Sequence, residues 1–140
     1  MAAVGELKLQ LQNDIKAIDP ANESARSWLS QQQVSPEVSY FVSLALEELV
    51  TNCIKYGYDD TNEHIIDVLL SLTDKTLTMI VVDDGHEFDP LLAPGPDLNL
   101  PIEDRPIGGL GIHLLRQMAD DITYERRENQ NRLTLTKQIS

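Results

Sequence analysis

The sequence predicts a two-layer α/β sandwich, a mixed but mainly antiparallel sheet covered on one face by helices. Two observations lead there. Apolar residues recur with period 2 in five short stretches and with helical period in three longer ones, in the order strand, helix, helix, strand, strand, helix, strand, strand. The last two strand pairs are each separated by only a few turn-forming residues, so each reads as a hairpin.

The first strand is Glu6 to Asn13, where Leu7, Leu9 and Leu11 alternate with polar residues, and one buried face places it at or near a sheet edge. Asp19-Pro20 marks a helix start, and Ala21, Ala25, Trp28 and Leu29 recur at helical spacing as far as Gln33, with Trp28 read as core. Ser35 followed by Pro36 is an N-cap with proline at the first helical position, and it launches a second helix of about two dozen residues that Gly57 ends. On that helix Phe41, Val42, Ala45, Leu46, Leu49, Val50, Cys53 and Ile54 form one broad apolar face. His64 to Leu72 and Thr76 to Val82 form a hairpin around Thr73-Asp74-Lys75, with His64 an exposed strand residue. From His86 to Ile107 there are five prolines and no sustained periodicity, and so long a loop is either functional or a rigid surface feature. Leu110, Leu114, Leu115 and Met118 give a short amphipathic helix. Ile122 to Arg127 and Arg132 to Ile139 close the chain as a hairpin around Glu128 to Asn131.

At 140 residues the chain reads as one domain, 1–140. Its 23 acidic against 11 basic residues give a formal charge of −12, which argues against nucleic acid and anionic membranes as partners. The single cysteine, Cys53, allows no internal disulfide and reads as a buried structural thiol. With no signal-like N-terminus and no long apolar run, the expected compartment is the cytoplasm.

One feature of the second helix is out of place. Asn52 projects within ~40° of Glu48 on the helical wheel, between Phe41 and Ala45, so an amide intrudes on a core face. Leaving a buried amide unpaired costs roughly 1–3 kcal/mol, so a polar partner is expected. Asn52 is therefore either a satisfied core amide or a metal ligand with a carboxylate one turn away, and the helix alone leaves both open. Downstream, Val81-Val82-Asp83-Asp84-Gly85 is a strand running into an acidic turn, and Gly108-Gly109-Leu110-Gly111 opens the third helix. Both glycine sites allow close backbone approach, and the free N–H groups of the third helix can face an anion. No G-x-x-x-x-G-K-[ST] loop is present.

These three breaks, in this order, resemble the N box and two glycine boxes of the GHKL ATPase superfamily. Within it the bacterial anti-sigma factor serine/threonine kinases are most similar. The resemblance implies the GHKL, or Bergerat, ATP-binding fold, with ATP and Mg²⁺ as cofactors. It implies that Asn52 is the magnesium ligand, Glu48 the general base, and Lys55 a phosphate contact. It implies that Asp83 accepts a hydrogen bond from the adenine amino group and that Gly85, Gly109, Leu110 and Gly111 line the nucleotide. Arg105, shortly before the second glycine box, is the expected γ-phosphate contact, and the Pro-rich loop stands where the family carries its ATP lid. The family's Gly-Thr pair in the last hairpin is replaced by Gln130-Asn131, so Asn131 is the candidate to support the adenine site. The implied activity is phosphorylation of a STAS-type anti-anti-sigma protein, with a sigma factor and a second copy of the chain as further candidate partners. An ATP-gated binding module without phosphotransfer and a detached histidine-kinase catalytic domain are the alternatives.

Overall fold

In the computed structural model, which describes residues 5–92 and 109–139, the elements are β1 (Gly5–Gln12), α1 (Ile18–Gln31), α2 (Pro36–Tyr56), β2 (Ile65–Leu72), β3 (Thr76–Asp83), α3 (Gly109–Met118), β4 (Asp121–Arg127) and β5 (Gln130–Gln138). The strands form one sheet in the order β1-β2-β3-β5-β4, and every pairing is antiparallel. The expected mixed character is absent among these strands for a topological reason. The α3 crossover makes β4 run in the same direction as β3, but β5 lies between them, antiparallel to both.

The helix boundaries follow local chemistry. The Asp14 carboxylate caps a short 3₁₀ turn, Ile15–Ala17, which leads directly into α1, so the helix begins just before Asp19 and accommodates Pro20 in its first turn. The Ser35 hydroxyl accepts from the Val38 N–H at 3.3 Å, with Pro36 first in α2. Gly57 ends α2 at an ordinary φ of −86°, its N–H bonded to Cys53 O. The closing hairpin has a two-residue turn, not four. Glu128 and Asn129 both have positive φ, 55° and 63°, the pairing of a type I′ turn, so Gln130 and Asn131 belong to β5.

The covered face reads as cross-strand rows. Leu7, Leu70, Met79, Leu135 and Ile122 lie side by side, as do Leu9, Val68, Val81, Leu133 and Tyr124. Against them α2 buries Phe41, Val42, Ala45, Leu46 and Val50 completely. Each of these side chains except Ala45 contributes roughly 1.5–3 kcal/mol. Trp28 is half-buried against this core, beside Gly5. The alternation of β5 also brings a lysine inward: buried Lys137 donates to Met118 O at 2.9 Å, satisfying the C-terminus of α3, and lies 3.5 Å from Glu37 and 5.6 Å from the centre of the Phe41 ring. At the opposite end of the same face the next row is polar, Asp83, Asn131 and Arg126. Among the described residues no helix is long and apolar enough to cross a membrane.

Candidate functional site

The polar row lies beneath the C-terminal half of α2, and that helix reaches it with successive turns. Asp83 and Asn131 are directly opposite in the β3–β5 register and both are buried. The Asn131 amide donates to Asp83 Oδ1 at 2.9 Å and to His86 O at 2.8 Å. The Gly85 N–H also donates to Asp83 Oδ1, at 2.9 Å. From α2 the Cys53 thiol donates to Asp83 Oδ2 at 3.2 Å. Burial, and then the adjacent Asp83 charge, push that thiol well above its ordinary pKa, so it is a fixed donor and not a nucleophile. Asn52 and Leu49 complete a small cavity with Cys53, Val81, Phe88, Pro90, Tyr124 and Leu133, leaving about 30 Å³ between them.

At Gly85 and Gly111 the room a side chain would take is filled by the protein's own atoms. The backbone of Gly85 touches that of Gly57, where a Cβ would collide with Gly57 O, and the His86 N–H donates to the same carbonyl at 2.8 Å. A Cβ on Gly111 would collide with the Glu48 carboxyl group, so Glu48 lies directly against the first turn of α3. Burial first, then Glu47, raises the Glu48 pKa above the usual carboxylate value, against the opposing pull of Lys55. Lys55 itself is exposed. Glu48, Asn52, Asp83, Gly85, Gly111 and Asn131 are therefore assembled along one side of α2, between β3 and α3. Gly109 and Leu110 open α3 in the chain trace. Arg105 and most of the Pro-rich segment lie outside the described residues.

Three site residues escaped the sequence reading. The Tyr124 hydroxyl donates to Asn131 Oδ1, and Arg126 donates to Gly85 O at 2.7 Å. Their signal was the period-2 alternation of β4, which turns Ile122, Tyr124 and Arg126 to the covered face. The third is His64. It precedes β2 and is not an exposed strand residue: its ring stacks on Tyr58 at 4.2 Å, with Nε2 2.8 Å from Asp60 and Nδ1 3.1 Å from Asp84. Hydrogen bonds to Asp60 and then Asp84 raise its pKa above 6.5. It is an ion-pair anchor holding the turn after α2 to the end of β3. Among the described residues no group of three His, Cys, Asp or Glu side chains is placed to hold a metal.

The fold and this arrangement define a nucleotide-binding domain of the GHKL type. The chain belongs to the histidine kinase-like ATPase domain family, whose model matches residues 11–137. It is 28% identical over 102 residues to the serine/threonine-protein kinase BtrW of Bordetella bronchiseptica, covering 73% of this chain and 72% of that one. Identity to the anti-sigma F factor of Clostridium novyi is 28% over 127 residues, 85% of this chain and 84% of the relative. To the serine-protein kinase RsbW of Bacillus cereus it is 33% over 103 residues, 70% of this chain and 62% of the relative. A crystal structure of the RsbU and RsbW domains of a Mycobacterium tuberculosis protein matches with a TM-score of 0.67 at 17% identity, covering 96% of this chain and 32% of that one, a likeness of fold.

Proposed function

We propose that this chain, acting as one domain, binds ATP with magnesium and transfers the γ-phosphate to a serine or threonine of a STAS-type anti-anti-sigma partner in the cytoplasm, so regulating a sigma factor. The observation that carries the reading is the contact of Glu48 with Gly111, one helical turn from Asn52 and on the same side of α2 as the buried Asp83. It is supported by the names of the relatives above, two of which are protein kinases and one an anti-sigma factor.

The residues fit the nucleotide in three respects. The Asp83 carboxylate would accept from an amino-purine, the lack of side chains at Gly85 and Gly111 lets Gly57 and Glu48 pack directly against the two turns that would border the nucleotide, and the start of α3 would offer N–H groups to phosphates. Asn52 would hold magnesium through its neutral amide oxygen, and the ion would supply charge neutralisation that a chain of net charge −12 needs before it admits another anion. Glu48 would take the proton from the attacking hydroxyl, a role suited by a carboxylate whose basicity is raised by burial. Lys55 and Arg105 would contact phosphate.

The test is Glu48→Gln with labelled ATP and a candidate STAS-type protein from the same genome. The variant should keep its affinity for Mg-ATP and lose phosphotransfer by about 10²–10⁴-fold, the usual worth of a general base. If the wild type labels no serine or threonine while binding ATP, the chain is instead an ATP-gated binding module.

A further inference from the structure

We propose that Asn131 and Cys53, with Tyr124 holding Asn131 in place, are positioning residues that with the Gly85 N–H fill the Asp83 carboxylate until it keeps a single acceptor site, on Oδ2, for the exocyclic amine of the purine. This rests on the ATP reading of the site. A carboxylate offers about four lone-pair positions. Oδ1 accepts both the Gly85 N–H and the Asn131 amide, and Oδ2 accepts the Cys53 thiol. One position is left. Asp83 lines the small cavity together with Cys53, Asn52 and Leu49.

Asn131 has no capacity left for a ligand. Its Nδ2 hydrogens go to Asp83 Oδ1 and His86 O, while its Oδ1 accepts from the Phe88 N–H at 3.3 Å and from the Tyr124 hydroxyl. Rotating the amide by 180° would set donor against donor at the Phe88 N–H and acceptor against acceptor at Asp83 and His86. Its orientation is thereby fixed. Asn131 thus acts on a purine through Asp83 and does not touch the base, and Tyr124 in turn locks Asn131. Cys53 does the same from α2. The result is a carboxylate that cannot rotate to present its other oxygen, and that rewards one N–H donor at one place. A purine carrying a carbonyl there, or only hydrogen, gains nothing from it.

Calorimetric titration of ADP against purine riboside diphosphate, which lacks the exocyclic amine, measures this directly. The wild type should prefer ADP by about tenfold or more. Tyr124→Phe and Cys53→Ala should each narrow that preference severalfold, and Asn131→Ala should bring it to within about threefold of unity. Affinity for the deamino compound should stay within about twofold of wild type throughout, which a general loosening of the site would not allow. Tyr124→Phe removes one hydroxyl at constant shape, so it carries the test even if Asn131→Ala fails to fold. An unchanged preference in all folded variants overturns the proposal and leaves ATP binding intact. A wild-type chain that binds neither compound overturns the ATP reading and this inference together.

Discussion

Gly111→Ala is the perturbation for which the structure gives the sharpest expectation. The added methyl group would overlap Cγ, Cδ and Oε2 of Glu48, where ordinary contact begins at 3.4 Å, so the carboxyl group must retreat by about 1 Å or more. Two opposed effects on stability follow. Alanine in place of glycine within a helix gains up to about 1 kcal/mol, whereas forcing apart a packed contact costs about 1–3 kcal/mol. The overlap should win in the wild-type background, giving a net loss of up to about 2 kcal/mol. In a Glu48→Ala background the obstacle is gone, and Gly111→Ala should become stabilising by up to about 1 kcal/mol. The coupling between the two sites is then about 1–3 kcal/mol, well above what distant residues show. Urea unfolding of the four members of the cycle, read by far-ultraviolet circular dichroism, measures it. If Glu48 is the base, the same 1 Å displacement should lower phosphotransfer about 100-fold. A Gly111→Ala effect of equal sign and size in both backgrounds would refute the contact on which the functional reading rests.

Two further expectations concern α2 and the turn after it. Asn52→Ala should abolish the magnesium dependence of ATP binding while the protein stays folded, because a smaller side chain is tolerated on a partly buried helical position; calorimetry with and without magnesium checks it, and a dependence equal to wild type would make Asn52 a core amide only. His64, whose folded pKa is raised by Asp60 and Asp84, contributes stability that is complete below its ordinary value of 6.5 and is lost as pH rises through the higher folded value. Thermal unfolding followed upward from pH 6 should therefore show a decline in the wild type that His64→Gln flattens, and parallel curves would show that the imidazole is not the titrating group.

How much of this was legible in the sequence depended on whether the signal was periodic or merely spatial. The strands and helices were readable because period-2 and helical alternation are imposed by burial on one face, and Ser35-Pro36 marked the start of α2 by capping chemistry alone. The hairpin turn was misjudged in length because Glu128 lacks the usual preference for positive φ, so the type I′ geometry was hidden behind a residue that seldom adopts it. That error mattered, since it decides whether Asn131 is a turn residue or a buried strand residue facing Asp83. Lys137 shows the reverse case. The alternation through Leu133 and Leu135 did point to an inward position 137, but a lysine there reads as solvent-facing until the free carbonyl of Met118 is seen waiting for it. The alternation of β4 turns Tyr124 inward but does not name Asn131 as its partner, and the His64–Asp84 pair joins residues 20 apart that no local pattern connects.

The placement of the site residues on α2 has a mechanical consequence. Glu48 touches α3 at Gly111, Cys53 holds Asp83 at the end of β3, and the carbonyl of Gly57 at the helix end accepts from His86 just beyond the first glycine box. One rigid helix therefore contacts both glycine boxes at once, about nine residues apart along its axis, or about 14 Å at 1.5 Å per residue. The end that would meet phosphate and the end that would meet the purine cannot shift independently without breaking a contact on α2. A change that begins at the start of α3, where a γ-phosphate would be present or absent, must either move α2 with it or stop at Glu48. Since the other face of α2 is locked in the core by Phe41, Leu46 and Val50, stopping at Glu48 costs less. If the site binds ATP as proposed, the first turn of α3 would be the element that responds to nucleotide, with α2 and β3 as the frame it moves against.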